Sequence, residues 1–213
     1  MRATEIETRR LVGGALCLDF ANSVDWDGED YERPSHTDVL REPADLALWG
    51  ARLGVCDSSA AATGRDLKAA RDLRGTIHRI FSAIAGGGRP DQHSLDALVR
   101  SYRDGTAAAT LTTADRLWRL ECPADDPRQV RFAVAADALD LLRDPERLGR
   151  VRRCPGGNCG WLFLDATGRR RWCSMEVCGS RAKMRALYER KKQRASSAPG
   201  AIPDALDSPQ APR

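Results

Sequence analysis

Four cysteines in the second half of the chain have the spacing of a metal site. Cys154, Cys159, Cys173 and Cys178 form two pairs, with four residues inside each pair and thirteen residues between the pairs. Two thiolate pairs separated by a hairpin-length segment suit tetrahedral Zn²⁺. Because four sulfur ligands leave no open position for water or substrate, we expect one structural zinc ion rather than a catalytic one.

The residues around these cysteines predict a knuckle, a hairpin and a helix. The Pro-Gly-Gly-Asn segment 155–158 can turn tightly enough to bring the first two sulfurs together. Residues 161–164 predict a strand, 169–172 predict the strand that returns beside it, and a helix is predicted over 179–194. We therefore expect a small α+β zinc finger of the treble-clef or ribbon-like type, whose folding energy comes largely from the metal.

Disulfide pairing and chance account for the cysteine cluster less well than zinc does. The first ten residues carry both charge signs and no apolar segment, so we expect no secretory signal and no disulfide-forming compartment. Four unrelated cysteines would have this regular spacing only by chance. Cys17, Cys56 and Cys122 lie singly elsewhere, and we expect them to be buried.

The charge of the chain is concentrated around the same cluster. Residues 150–194 contain 13 Lys or Arg against three acidic residues, a net charge of +10, whereas the rest of the chain has 21 basic and 27 acidic residues, a net charge of −6. Such asymmetry predicts an acidic body and a basic appendage with a polyanionic partner.

The predicted finger helix has one apolar and two cationic faces. At about 100° per residue, Met184, Leu187 and Tyr188 share one side, which we expect to pack on the finger. Basic residues line both flanks: Arg181, Arg185 and Lys192 on one, and Lys183, Arg190 and Arg194 on the other. A helix of this kind can pack on the finger while it contacts phosphates.

We therefore expect duplex DNA as the partner of the finger. Arg181 and Arg185 are predicted to lie nearest the groove of the DNA, where arginine can bind guanine with two hydrogen bonds. Phosphate contacts are predicted for five further residues: Arg169, Arg170, Arg171, Arg190 and Lys192. The alternatives are a solvated basic face, an anionic protein partner, or packing of the finger against the acidic body.

Residues 11–148 predict a mainly helical domain with one β-hairpin. Helical periodicity is found over 11–26, 42–53, 59–85, 91–102 and 127–143. The alternation over 106–122 predicts the hairpin, with its turn near Ala114 and Asp115. Residues 149–194 then form the finger, and the proline-rich segment 195–213 predicts a disordered tail.

The finger sequence resembles a known family. The residues of segments 152–154, 159–165, 171–175 and 178–181 are similar to the CGNR zinc finger, with Cys178-Gly179-Ser180-Arg181 at the position of the eponymous tetrapeptide. The amino-terminal segment 13–23, Gly-Gly-Ala-Leu-Cys-Leu-Asp-Phe-Ala-Asn-Ser, resembles the start of the ABATE domain. This resemblance implies a bacterial, stress-related, DNA-binding regulator of transcription with four cysteine zinc ligands, acting in the cytoplasm on the nucleoid.

A sensor would need a ligand site in the amino-terminal domain. Asp19, Asn22, Ser23 and Trp26 fall on one stripe of the first predicted helix, with His36 nearby in sequence. These five residues could line a pocket for a small-molecule effector. The alternative is that the polar residues cap helices or bind buried backbone groups.

Several classes of function are excluded or disfavoured. No run approaches 18 apolar residues, so we expect no membrane span. Phosphate-loop, nucleophile-elbow and metalloprotease motifs are missing, so we expect no enzyme. The prediction is a transcriptional regulator whose amino-terminal domain senses a ligand or mediates homodimerisation. The alternatives are a zinc-stabilised protein-interaction adaptor and, third, an enzyme in the helical domain.

Overall fold

The computed structural model describes residues 2–26, 37–114, 116–157 and 159–196. Its fold is mainly α with two small antiparallel hairpins, as the sequence predicts. The helices are α1 (Arg2–Thr8), α2 (Leu16–Ala21), α3 (Pro43–Arg52), α4 (Gly64–Ala85), α5 (Gln92–Thr106), α6 (Arg128–Arg143), α7 (Pro145–Leu148) and α8 (Ser180–Ser196). The strands are β1 (Thr110–Ala114), β2 (Leu117–Glu121), β3 (Val151–Arg153) and β4 (Leu162–Leu164). His36 and residues 197–213 of the predicted tail lie outside the described residues.

One apolar core joins the helices to the second hairpin. Helices α2, α4 and α6 pack on one another, and Phe20, Ile77 and Leu141 are fully buried between them. Val151 of β3 and Leu162 of β4 belong to the same core. The finger is therefore continuous with the helical domain rather than tethered beside it.

Helix α4 shows how local capping sets an element boundary. The periodicity predicted a helix from residue 59, but the helix begins at Gly64. Thr63 caps it: its hydroxyl accepts from the Asp66 amide at 3.3 Å, and the Asp66 carboxylate accepts from the Thr63 amide at 2.9 Å. This reciprocal capping box fixes the first turn, so the prediction was too long at this end.

The first predicted helix is much shorter than its apolar pattern. The prediction of a helix over 11–26 was wrong at both ends, because only Leu16–Ala21 is helical. Gly14 adopts a positive φ of 75° before the helix, a conformation that glycine allows. After the helix, the Asn22 side chain binds a strand 140 residues away, so the chain turns toward that strand.

The predicted hairpin at 106–122 is confirmed as β1 and β2. Leu111 lies opposite Leu120, and Thr113 lies opposite Trp118. The Leu and Trp side chains are exposed to solvent, and Trp118 keeps 69% of its accessible surface.

The strand pairing predicted inside the finger was wrong. Strand β4 pairs with β3, which precedes the first cysteine, and not with 169–172. The Asp165 carboxylate accepts from the amides of Arg169 and Arg170 at 3.1 and 3.0 Å, so the chain closes a turn there. Segment 169–172 is therefore not a strand paired with β4, although the Arg170 side chain lies over the Phe163 ring of β4.

The apolar side of α8 also departs from the prediction. Met184, Leu187 and Tyr188 are 64%, 40% and 67% exposed, so they do not pack on the finger. The alanine side of the helix, with Ala182 and Ala186, faces the knuckle instead. These small side chains leave room for a groove between the helix and the glycine-rich turn. Within the described ranges, no helix combines the length and apolarity that crossing a bilayer requires.

Candidate metal centre and basic helix

The four predicted zinc ligands converge at one point. The sulfur atoms of Cys154, Cys159, Cys173 and Cys178 all lie within 4.8 Å of one another, and all four residues are buried. The Cys159 and Cys173 sulfurs are 3.5 Å apart, and the Cys173 and Cys178 sulfurs are 3.6 Å apart. Ligands about 2.3 Å from a tetrahedral Zn²⁺ lie roughly 3.8 Å apart, so the cluster has the dimensions of a zinc site.

The β3–β4 hairpin positions the first pair of ligands. Cys154 directly follows β3, and its amide donates to the Trp161 carbonyl at 2.8 Å. The Cys159 amide donates to the Gly156 carbonyl at 3.3 Å and closes the knuckle. A Cβ at position 156 would lie 3.1 Å from the Cys178 sulfur, so glycine is needed where the knuckle passes over the second pair.

A π-helical turn over Met175–Gly179 positions the second pair. Ser174 caps this turn, because its hydroxyl accepts from the Val177 amide at 3.3 Å. Cys173 lies just before the turn and Cys178 inside it. The turn leads directly into α8, so the metal centre anchors the start of that helix.

The donor set fits one structural zinc ion. Hydrogen bonds from the Cys159 and Cys173 thiols lower the pKa of Cys154 to about 2, and the same contact raises the pKa of Cys159. The contacts within the cluster therefore favour the thiolate form of Cys154, which is the form that binds a metal. Zinc bound by all four sulfurs links β3, β4 and the base of α8, and four protein ligands leave no position for a substrate.

Asn22 joins the amino-terminal domain to the finger. Its side-chain amide donates to the Leu162 carbonyl at 2.8 Å, and its side-chain carbonyl accepts from the Leu162 amide at 2.9 Å. The side chain thus pairs with β4 as a neighbouring strand would. Next along β4, the Leu164 amide donates to the Gly13 carbonyl at 2.8 Å.

Trp26 and His78 complete this connection beside the second ligand. The Trp26 amide donates to the Cys159 carbonyl at 3.2 Å, and His78 Nε2 is 2.9 Å from the Gly160 carbonyl. The two rings stack with centroids 3.9 Å apart. Gly160 has a φ of 58°, and a Cβ there would lie 2.7 Å from the Trp26 Cβ. We call Asn22, Trp26 and His78, with segment 159–162, the joint.

The residues predicted to line an effector pocket are mostly engaged within the protein. Asn22, Ser23 and Trp26 are buried, and the Ser23 hydroxyl accepts from Arg74 at 3.1 Å. Asp19 accepts from the Gly13 amide at 2.7 Å, and burial raises its pKa. These contacts are of the kind expected if the polar residues bind buried groups of the protein itself. The effector site stays a prediction.

Three arginines attach the finger to the rest of the chain. Arg9 lies over the Trp161 ring at 4.6 Å and pairs with Asp25 at 2.8 Å. Arg10 bonds Ser174 at 3.0 Å. Arg170, predicted to contact phosphate, lies over the Phe163 ring at 4.4 Å and donates to the Val12 carbonyl at 2.9 Å.

The remaining residues predicted to contact DNA lie toward solvent. Arg169 and Arg171 are both exposed, and the Arg171 guanidinium lies over the Trp172 ring at 5.2 Å. Helix α8 carries seven exposed basic residues, which we call the basic surface of α8: Arg181, Lys183, Arg185, Arg190, Lys191, Lys192 and Arg194. In the part of the chain that the structure describes, none of the seven forms an ion pair with an acidic residue.

A groove of about 300 Å³ runs between this helix and the knuckle. Its walls include Arg181 and Arg185 on α8, Trp172, and the backbone of Gly156 and Gly157. The Arg185 guanidinium passes over Gly157, since a Cβ there would lie 3.4 Å from its nitrogen. The groove therefore presents two cations, an aromatic ring, glycine backbone and the acidic Glu189 to an incoming molecule.

Two family models match the chain, and together they cover both regions. The ABATE model, described as "Putative stress-induced transcription regulator", matches residues 14–145. The chain belongs to the ABATE family. The CGNR zinc finger model matches residues 150–191, so this ABATE protein carries a CGNR finger after its helical domain. No curated protein matches the chain in a sequence comparison.

The position that departs from the CGNR tetrapeptide is Ser180. Its hydroxyl donates to the Met175 carbonyl at 3.2 Å and is exposed, away from the sulfur cluster. A Cβ at the preceding Gly179 would lie 2.5 Å from the sulfur of Met175, an exposed and flexible side chain that can move aside, and 3.3 Å from the Trp172 ring. The departure therefore leaves the four ligands in place.

Sequence reasoning did not identify the joint as a connection. Asn22 was singled out for its polar side chain, but it binds the backbone of Leu162, and a backbone contact has no sequence signature. His78 lies between the apolar core positions Ile77 and Ile80, and no motif marks it as a contact with the finger; it is fully buried. Arg9 and Arg10 precede the first predicted element, and no pattern predicted their contacts with the finger.

Proposed function

We propose that this ABATE protein regulates transcription by binding duplex DNA through the basic surface of α8. The observation that carries the proposal is the set of seven exposed cations on α8, held by a zinc centre and left without acidic partners in the described residues. Cations that have no protein partner are available to phosphates, and their binding releases counterions from DNA. Arg181 and Arg185 in the groove are the candidates for contacts near the bases.

The amino-terminal domain supplies control in this proposal, by sensing a small molecule or by bringing two copies together. The joint supports the idea, since the backbone of segment 159–162 beside the metal centre is bonded to His78 of α4 and to Asn22 and Trp26, which follow α2. A shift of those elements would move the finger with them. We propose that the protein acts in the cytoplasm, on the nucleoid, and that it is not an enzyme.

Titration of a labelled duplex with the zinc-loaded full chain at several salt concentrations tests the proposal. We expect affinity to fall steeply with salt, with a log–log slope near −0.9 for each phosphate neutralised. Unlabelled random-sequence duplex should compete, because phosphate contacts depend weakly on sequence. No binding at low salt by protein with its finger folded and zinc present would refute the proposal.

A protein-interaction adaptor is the second candidate function. The observation that favours it is the exposed apolar side of α8, where Met184 and Tyr188 are 64% and 67% exposed. An acidic protein surface with apolar residues would fit this side and its cationic flanks. Such a complex would resist competition by random DNA, whereas a DNA-binding surface would not.

A further inference from the structure

We propose that the β1–β2 hairpin binds the same hairpin of a second copy of this chain. One face of the hairpin is formed by Leu111, Thr113, Trp118 and Leu120, since the register places Leu111 opposite Leu120 and Thr113 opposite Trp118. Leu111, Trp118 and Leu120 are 64%, 69% and 42% exposed. We call these four residues the hairpin face.

The charge of the hairpin lies on its opposite face. Arg119 and Glu121 point there, 4.0 Å apart, and the Glu121 carboxylate accepts from the Thr112 hydroxyl at 3.1 Å. The hairpin face itself carries no charged group. A partner that placed a charge against Trp118 would leave that charge buried and unpaired, so the fitting partner is apolar and uncharged.

Among the described residues, the hairpin is covered by its own chain only in part: β2 contacts α6, and Leu120 is 42% exposed. Four of the five residues of β2 are exposed, and Thr110–Thr113 of β1 are exposed too. An isolated two-stranded hairpin is marginally stable in water unless its apolar face packs against something. Within the same described ranges, a single copy leaves 64% of Leu111 and 69% of Trp118 exposed.

The shape of the hairpin face suits a second copy. One cross-strand pair consists of two leucines, Leu111 and Leu120. The other pair places the large Trp118 beside the small Thr113. The hairpin face therefore has a projecting ring next to a shallow position. Two copies related by a two-fold axis can each place Trp118 over Thr113 of the second copy, with the leucines packed between them.

The area available indicates a weak, concentration-dependent dimer. Three exposed apolar side chains per copy withdraw on the order of 800 Å² from water in total, below the roughly 1,200–2,000 Å² of stable interfaces and within the range of weak, transient ones. We expect dissociation in the micromolar range. The contact does not depend on DNA binding, although a dimer would bring two basic α8 surfaces to one duplex.

Sedimentation equilibrium of the zinc-loaded full chain, without DNA, tests the proposal. The wild-type mass should rise from 23.4 kDa toward twice that value as concentration increases through the micromolar range. Trp118→Thr should weaken association about tenfold or more, as loss of an aromatic anchor does. Thr113→Trp should also weaken it, because it fills the shallow position.

Leu117→Thr is the matched control. Leu117 is 59% exposed and lies on the opposite face of the same hairpin, so its replacement should change association by less than about twofold. Three results would overturn the proposal: a wild-type chain that stays monomeric, equal weakening by Trp118→Thr and Leu117→Thr, or unchanged association of Trp118→Thr. The last result would place a dimer contact elsewhere, such as the apolar side of α8.

Discussion

The joint and helix α8 are attached to the same four cysteines but are built in opposite ways. At the joint, Asn22, Trp26 and His78 are buried and contact the backbone of segment 159–162. On α8, the basic residues are exposed and none has an acidic partner among the described residues. One side of the finger is therefore committed to holding it in place, and the opposite side is available to a partner.

This difference predicts that the stability of the protein and its binding of a partner depend on different residues. Substitutions at the joint should change the free energy of unfolding, because each would leave a buried polar group without its partner. Substitutions on α8 should leave stability nearly unchanged and alter binding. The zinc centre lies between the two regions, so its loss should affect both.

Removal of zinc should have the largest effect. A chelator, or Cys154→Ala, removes a contribution that is on the order of 10 kcal/mol in small zinc modules, so the finger and the start of α8 should unfold. Because β4 is bonded to Asn22 and Gly13, the helical domain should also lose stability. Thermal unfolding with and without chelator measures this loss.

Cys56→Ala is the control for that experiment. Cys56 is a free thiol outside the sulfur cluster, and burial raises its pKa to about 11. The variant should retain one zinc per chain and its response to the chelator. Unchanged unfolding of the helical domain after zinc loss would contradict the coupling through the joint.

Asn22→Ala should lower the free energy of unfolding by about 2–4 kcal/mol. It removes two hydrogen bonds and leaves the Leu162 amide and carbonyl buried without partners. Chemical denaturation measures the change. Ser180→Ala removes an exposed hydroxyl hydrogen bond at the start of α8 and should cost less than about 0.5 kcal/mol. Equal costs for the two variants would remove the distinction between joint and helix.

Acidification should weaken the joint through His78. Burial lowers the pKa of His78 to about 4, below the unfolded value of 6.5, so the unfolded chain binds the proton more readily. Stability should therefore fall as pH drops through 6.5 toward 4, by about 2 kcal/mol between pH 7 and pH 5. His78→Gln should have a flatter pH profile in the same denaturation experiment. An identical profile would show that a different group titrates.

Neutralising part of α8 should change stability least. Arg181→Ala, Arg185→Ala and Lys192→Ala together remove exposed side chains without ion pairs in the described part of the chain. We expect the free energy of unfolding to change by less than about 0.5 kcal/mol per substitution, measured by denaturation. A loss of several kcal/mol would mean that these residues support the fold.

The sequence predicted the parts of the molecule that depend on local spacing. The four cysteines, the mainly helical domain and the β1–β2 hairpin follow from periodicity and from ligand spacing. The parts that depend on distant partners were missed. Asn22 follows the short first helix and binds Leu162, and Asp165 holds the start of 169–172 in a turn instead of a strand. The apolar pattern of α8 predicted packing, but the small alanines face the knuckle instead.

Affinity for duplex DNA, measured over a salt series, tests the central claim most directly. The α8 variant with three substitutions is compared with a variant that removes three exposed arginines of the helical domain, which have no ion pair within the described ranges: Arg65→Ala, Arg89→Ala and Arg100→Ala. Both variants lose the same net charge. The account predicts that the α8 variant loses about three units of the log–log salt slope and that the helical-domain variant keeps the wild-type slope. Equal slopes for the two variants would contradict it.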